Sequence, residues 1–353
     1  MKIHVHQSGS TDNTACEATV AICLDAMRAV PQEEQSMYGD FLFNLLGRQM
    51  DFIHSLHALS ADYRIELRYL FDPATPHHLR VYHLVRVSAA SVSDVSEEAE
   101  RLGEYILHSL MVHNHLLEFR PVTAEEELQY LIAPFEFEHT VEIVRREDMI
   151  VLDSMRKKAS RTLGFGDQSE SVELEPTGAP DSFIYHVFPY ALNLDTMERL
   201  CNALFLQNHP CLISICVKPY PLTQADEARL EANVRNCEKY AQLEVHATED
   251  VEHLEPFLKS QAGTLYKNCI LELVQLQDAA FLLKVQIASS HPIPQALTTI
   301  TGTSITEHTG HPRPAFDKVM ELTFTGGYDY CYPRNRDEKA AAIANLQNME
   351  FRP

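Results

Sequence analysis

Histidine is the residue type with the most chemistry to offer in this sequence, at 18 of 353 residues. Three close pairs, His4/His6, His113/His115 and His308/His311, have a spacing that lets two imidazoles face one ion. His4 and His6 alternate in MKIHVH, which places both rings on one face of a strand. His113 and His115 bracket a turn in MVHNHL, and His308 and His311 fall in the loop-like EHTGHPRP. None of the pairs has a Cys or carboxylate set beside it at zinc-ligand spacing, so each reads as structural or surface. A metal-dependent hydrolase built from dispersed ligands is the alternative, and His113, His115, His139 and Glu142 are the set it would draw on.

The other chemistry-bearing types give equally plain readings. The eight cysteines, 16, 23, 201, 211, 216, 237, 269 and 331, never form CxxC, and most sit in apolar stretches such as CLISICV. They read as reduced, buried thiols rather than a disulfide framework. The acidic clusters Glu97/Glu98, Glu125–Glu127 and Asp337/Glu338 fall at helix starts, where carboxylates complement the helix dipole. Asp337–Glu338–Lys339 is also similar to a fragment of a divalent-metal nuclease site, in a stretch that reads as polar helix. The basic residues Arg145, Arg146, Arg156, Lys157, Lys158 and Arg161 form the one cationic cluster, read as a solvated edge with phosphate or an acidic partner as the rival.

Motifs with a fixed mechanism are absent. There is no GxxxxGK[ST] to cradle a triphosphate, and Gly302 to Gly310 has neither the spacing nor the Lys. GFG at 164–166 is too short for a dinucleotide fingerprint, and GxSxG, HExxH and the zinc-deaminase signature do not occur. The sequence therefore assigns no catalytic, cofactor-binding or metal-ligating residue, and the chain is expected not to be an enzyme.

Composition narrows the classes further. With 29 Lys+Arg against 50 Asp+Glu, the net charge of −21 argues against a surface that neutralises DNA phosphates. No run of about 18 apolar residues occurs, so membrane insertion is not expected. The first twenty residues lack an apolar secretory core, which points to a cytoplasmic protein.

Hydrophobic patterning gives the elements that would position these groups. Lys2–His6 reads as a short strand, TACEATVAICLDAMRAVP as helix, and MYGDFLFNLLGRQMDFIHSLHAL as an amphipathic helix. YRIELRYLFD alternates Ile65, Leu67 and Tyr69 against Arg64, Glu66 and Arg68, a half-buried strand, and LRVYHLVRVSAA follows as another. SDVSEEAERLGEYILHSLMV reads as a helix capped by Ser93, Asp94 or Ser96. Strand HLLEFRPV, a helix opened by a Thr123–Glu126 capping box, and strand EHTVEIVRRED complete this half. The Gly-, Ser-, Glu- and Pro-rich stretch 155–182 reads as a linker.

Beyond it come strand FIYHVFPY, helix LDTMERLCNALFLQN and the near-continuous apolar strand PCLISICVKPYPL, expected to be central and covered on both faces. A helix boxed by Thr223 and Asp226, helix AGTLYKNCILELVQLQ, strand AAFLLKVQIASS and a short helix in HPIPQALTTITGTSI follow. Strand KVMELTFTG and a last helix in DEKAAAIANLQNMEFRP, running into the start of a strand, close the chain. The expected class is α+β: two tandem sandwich modules, 1–154 and 183–353, joined by 155–182, with mixed, largely antiparallel sheets and helices on the sheet faces. Val85–Ala90 echoes Val285–Ser290, each an apolar strand ending in small residues before a helix, as a duplicated unit would.

Several phrases in order carry a family likeness: RIELRYLFDP, VYHLVRVSAAS with EEAERLGEYILHSL, LLEFRPVTAEEELQYLIAPFEFEHTVEIVRRED, VFPYALNLDTMERLCNALFLQNHPCLISICVKPYPLT and AAFLLKVQIASSHPIPQAL. Together they resemble the N-terminal, non-motor region of HerA/FtsK-superfamily ATP-binding proteins, related to the ATPases of conjugative type IV secretion. The resemblance covers roughly residues 60–353. It implies an accessory and assembly role beside a motor ATPase domain or subunit, homo-oligomerisation through the motor ring, and only indirect contact with nucleic acid. The motor's Walker residues have no counterpart here, so ATP hydrolysis carries over to no residue of this chain. A structural subunit of a secretion or phage-like particle is the remaining alternative.

Overall fold

The computed structural model describes residues 1–7, 16–27, 48, 51–59, 62–114, 116–163, 168–187, 196–247, 261–306 and 327–351; for 147–187, 239–247 and 261–265 it describes the backbone only. The strands are β1 (His4–Gln7), β2 (Cys16–Met27), β3 (Tyr63–Phe71), β4 (Leu79–Ala89), β5 (Leu117–Pro121), β6 (His139–Arg145), β7 (Glu147–Leu163), β8 (Gln168–Val187), β9 (Cys211–Pro219), β10 (Phe281–Ser289) and β11 (Tyr328–Cys331). The helices are α1 (Val92–His113), α2 (Glu125–Ile132), α3 (Thr196–Phe205), α4 (Gln224–Ala247), α5 (Gln261–Asp278), α6 (Gln295–Ile305) and α7 (Arg336–Gln347). Residues 51–57 are helical as well. No helix among the described residues is long and apolar enough to cross a membrane.

Nine strands form one sheet in the order β1-β2-β4-β3-β9-β10-β6-β11, with β5 also paired to β2, and every pairing is antiparallel. The class is α+β with helices packed on the sheet. One sheet runs through both halves of the chain, where two modules with sheets of their own were expected. The halves repeat one topology within it. β2, helical residues 51–57, β3, β4, α1 and β5 form a βαββαβ unit whose strands lie in the order fourth-first-third-second. β6, α3, β9, β10, α6 and β11 repeat that order, the ferredoxin-like arrangement. The units join through their second strands, β3 and β9, from Ile65↔Val217 to Phe71↔Cys211. The echo between Val85–Ala90 and Val285–Ser290 falls on the third strand of each unit, β4 and β10.

The apolar run in Cys16–Met27 is a strand, not the helix its composition suggests. Seven of its first eight residues are buried, because the sheet is covered on both faces there. A doubly covered strand shows no period-2 alternation, so it reads like a buried helix. By the same logic PCLISICVKPYPL is the central strand expected, β9, lying between β3 and β10. The linker reading of 155–182 is also corrected: residues 155–163 lie in β7 and 168–182 in β8, which pair as a two-stranded antiparallel ribbon. Met349 and the residues beside it follow α7 without forming a strand. Strand KVMELTFTG and most of the 37–59 helix lie outside the described residues, and β11 is a four-residue strand that the sequence pattern does not mark.

Both faces of the sheet are covered. On one, Val95, Ala99, Leu102, Ile106 and Leu110 of α1, spaced every three to four residues, pack with Phe52 and Leu56 onto Ala18, Val20, Ile22, Val85 and Val87. In the second unit, Leu200 and Leu204 of α3 and Leu297 and Ile305 of α6 pack onto Val141, Ile143, Ile213, Val285 and Ile287. Over the opposite face lie α2 and the end of α7, where Leu128, Leu131, Phe137, Leu346 and Met349 meet Leu70, Tyr82, Leu84, Leu212 and Ala288.

Helix caps differ from their sequence assignments in instructive ways. α1 is capped by Ser91, whose hydroxyl accepts from the Asp94 amide at 3.2 Å, not by Ser93, Asp94 or Ser96. α2 starts after Ala124 with no side-chain cap, so Thr123 does not serve. The expected box at α4 is present: the Asp226 amide donates to Thr223 Oγ1 (3.2 Å) and the Thr223 amide to Asp226 Oδ2 (3.0 Å).

Two helical glycines separate tight packing from slack. A Cβ on Gly302 of α6 would lie 2.5 Å from the buried Tyr328 ring of β11, whereas one on Gly103 of α1 would first meet the Met1 thioether at 2.6 Å, the end of a flexible side chain. Gly302→Ala is expected to lower stability by about 1–3 kcal/mol through overpacking, outweighing the roughly 1 kcal/mol helix-propensity benefit of alanine. Gly103→Ala should cost less, and the order of the two urea midpoints checks the assignment.

Candidate functional site

Strand registry on the face beneath α2 and α7 builds a polar row across the sheet. Tyr82 of β4, Arg68 of β3, Ser214 of β9, Gln286 of β10 and Glu142 of β6 stand in successive register, with Cys331 of β11 next to Glu142. The next row along holds Glu66, Cys216 and Lys284, and the one after it the pair Arg64 and Arg86. Arg68, Glu66, Ser214, Gln286, Arg86 and Lys284 are all buried.

Four of these side chains are cations, and all four hold the same object. Arg64 Nη1 donates to the Asn348 carbonyl (3.0 Å), Arg68 Nη2 to Leu346 (3.4 Å) and Arg86 Nη2 to Gln347 (2.9 Å). Lys284 Nζ donates to the Asn345 carbonyl (2.9 Å) and to that of Glu350, with the Phe351 ring 5.5 Å from the ammonium. The last carbonyls of a helix have no partner within it and carry the negative end of its dipole. The sheet face is thus a cationic socket for the C-terminal end of α7.

Two carboxylates fix the arginines in place. Glu66 Oε1 accepts from Arg68 Nε at 2.6 Å and from Ser214 Oγ. Glu17 lies between Arg64 Nη2 (2.5 Å) and Arg86 Nη1 (3.4 Å). Arg68 Nη1 also donates to the Leu131 and Ile132 carbonyls at 3.0 and 2.8 Å, so the arginine ties the ends of α2 and α7 to one strand. Burial works against the Arg68 charge, but Glu66 and Tyr82 outweigh it and raise its pKa. Burial lowers the pKa of Lys284 and Arg86 from their ordinary values, and pushes the neighbouring Cys216 thiol up to about 12.

The sequence had placed Arg64, Glu66 and Arg68 on the solvated side of a half-buried strand. They are instead the centre of this socket. The alternation was real, but the polar face is covered by α2 and α7. The available signal was the recurrence of Arg86 and Lys284 inside otherwise apolar strands.

The residues singled out for chemistry do not gather. His4 and His6 do share a strand face, their rings 4.3 Å apart; His4 hydrogen-bonds Glu125 (3.3 Å) and His6 hydrogen-bonds Thr19 (3.4 Å). His113 ends α1 beside Phe52 in the first unit, while His139 and Glu142 lie on β6 in the second. His115, His308 and His311 lie outside the described residues. Among the described residues no three His, Cys, Asp or Glu side chains are placed to share a metal ion. Glu338 forms a helix cap: its amide donates to Asn335 Oδ1 (2.9 Å) and its carboxylate accepts from the Arg334 amide (2.7 Å). On the ribbon, positions 156, 158 and 161 stand opposite Glu175, Glu173 and Glu170. All eight cysteines are free thiols. Among known proteins, no family model and no curated sequence matches the chain.

Two outcomes follow from this electrostatic layout. Arg68→Met strands a buried carboxylate and is expected to cost about 3–5 kcal/mol in urea unfolding, whereas adding Glu66→Leu to it should restore most of that loss. His83 is the second case. Its Nδ1 is buried without a partner, and burial holds its pKa down to about 4 against 6.5 when free. The unfolded chain therefore binds the extra proton between those values, so stability falls as pH drops from 6.5 to 4, by up to about 3 kcal/mol from this group. His83→Leu should flatten the wild-type loss over that window, read as denaturation midpoint against pH.

Proposed function

We propose that this chain is a non-catalytic assembly and docking module that works beside a HerA/FtsK-type DNA-translocating or secretion-type motor ATPase. The resemblance of residues 60–353 supplies the family, and the socket is the observation that carries the reading. Four cations, three of them buried and Arg64 partly so, donate to the end of α7 and join that helix to the sheet. A module that docks a motor or transmits its motion needs such a joint.

Two further features support protein partners over direct duplex binding. The net charge is −21, and the basic cluster on β7 stands opposite glutamates on β8. Among the described residues, the sheet margins are β1 and β5 on one side and β11 on the other, and strand margins are surfaces that neighbours can extend. Oligomerisation would follow the motor ring.

Mass photometry of the purified chain, alone and mixed with a HerA/FtsK-type ATPase from the same genome, tests the reading. Ring-sized species, or a complex of defined stoichiometry, is the expected result. A monomer that leaves the motor's mass distribution unchanged overturns it.

A further inference from the structure

The α4/α5 hairpin is inserted between β9 and β10. Of all its described side chains, only Cys237 and Cys269 are buried, one on each helix. Their Sγ atoms lie 3.2 Å apart, and Asn233 Nδ2 approaches Cys269 Sγ at 3.5 Å. No other pair of described cysteines is in contact. Helical hairpins are commonly held by a row of aliphatic side chains; among the described residues the fully buried contact between these two helices is a pair of sulfurs.

We propose that Cys237 and Cys269 form a redox-sensitive staple, a disulfide site that sets the rigidity of this hairpin. The sulfurs need to close by little more than 1 Å to reach bonding distance. The oxidant is a peroxide. One thiol, as thiolate, attacks a peroxide oxygen and becomes a sulfenic acid while the second oxygen leaves as water. The other thiol then attacks that sulfur, the S–S bond forms and a second water leaves. Two thiols and one hydrogen peroxide thus give one disulfide and two waters. The hydrogen bond to Cys269 and burial both push the Cys237 thiol upward. The packed pair is therefore slow to react, and oxidation proceeds when the hairpin opens. Closure then holds it shut. The loop between the cysteines spans about 30 residues, long enough for a crosslink to remove substantial chain freedom.

The experiment uses the full chain, reduced, freed of reductant and treated with hydrogen peroxide. It is then alkylated in denaturant and mapped by peptide mass spectrometry. The expected product is a Cys237–Cys269 linked peptide, two hydrogens lighter than the reduced pair, with the other six cysteines still alkylated. Hydrogen exchange of the α4 and α5 amides should slow several-fold on oxidation, and dithiothreitol should restore it. In Cys269→Ser neither the link nor the slowing should appear. Both cysteines fully alkylated after peroxide, oxidised to sulfinic acids without a link, or linked to other partners would each overturn the proposal. So would a link that leaves exchange in the hairpin unchanged. The wild-type mapping stands by itself if the serine variant does not fold.

Discussion

Three guanidinium groups and an ammonium cannot sit on a covered sheet face unless oxygens come to meet them. Removing such charges from water costs several kcal/mol each, and one carboxylate per cation would bury still more charge. Glu17 and Glu66 pair with the three arginines, and backbone carbonyls supply further acceptors. A helix C-terminus is a compact source of them, because its final carbonyls are unpaired and collectively negative. The position of α7 follows from that requirement. So does the way α2 ends, since Arg68 and the Tyr82 hydroxyl both reach the Leu131 carbonyl.

The repeat determines which strands meet at this place. Joining two βαββαβ units through their second strands makes β3 and β9 the centre of a single sheet, with β4 and β10 flanking them. The socket draws on all four of these strands as well as β2, and so belongs to neither unit alone. The units also differ in what is inserted into them. The second carries the β7/β8 ribbon and the α4/α5 hairpin, and these two insertions leave the sheet at the same end and touch each other through α4 and β8.

The α+β class, the helices from α1 onward and most strands were legible, the amphipathic helices from their periodicity and the central strands from short apolar runs bounded by turn residues. The misreadings have two causes. β2 looked helical and Glu66 and Arg68 looked solvated because sequence shows the period of burial and not what covers the second face. Residues 155–182 looked like a linker because a two-stranded ribbon needs no run of large apolar residues. The socket itself was invisible: its acceptors are main-chain atoms of residues 345–350, which no side-chain pattern can mark. The capping box of α4 was legible for the opposite reason, being a contact between residues three apart.

The β3–β9 seam has a consequence for how the chain is made. Ile65 pairs with Val217, so β3 leaves the ribosome with one edge bare until about 150 more residues have followed, roughly 8–30 s at usual synthesis rates. A bare edge in an apolar strand invites pairing with the wrong chain. Arg64, Glu66 and Arg68 line that strand during the wait, before α7 has been made to cover them. Side chains that later anchor the finished fold would first act as charged guards on an unfinished one.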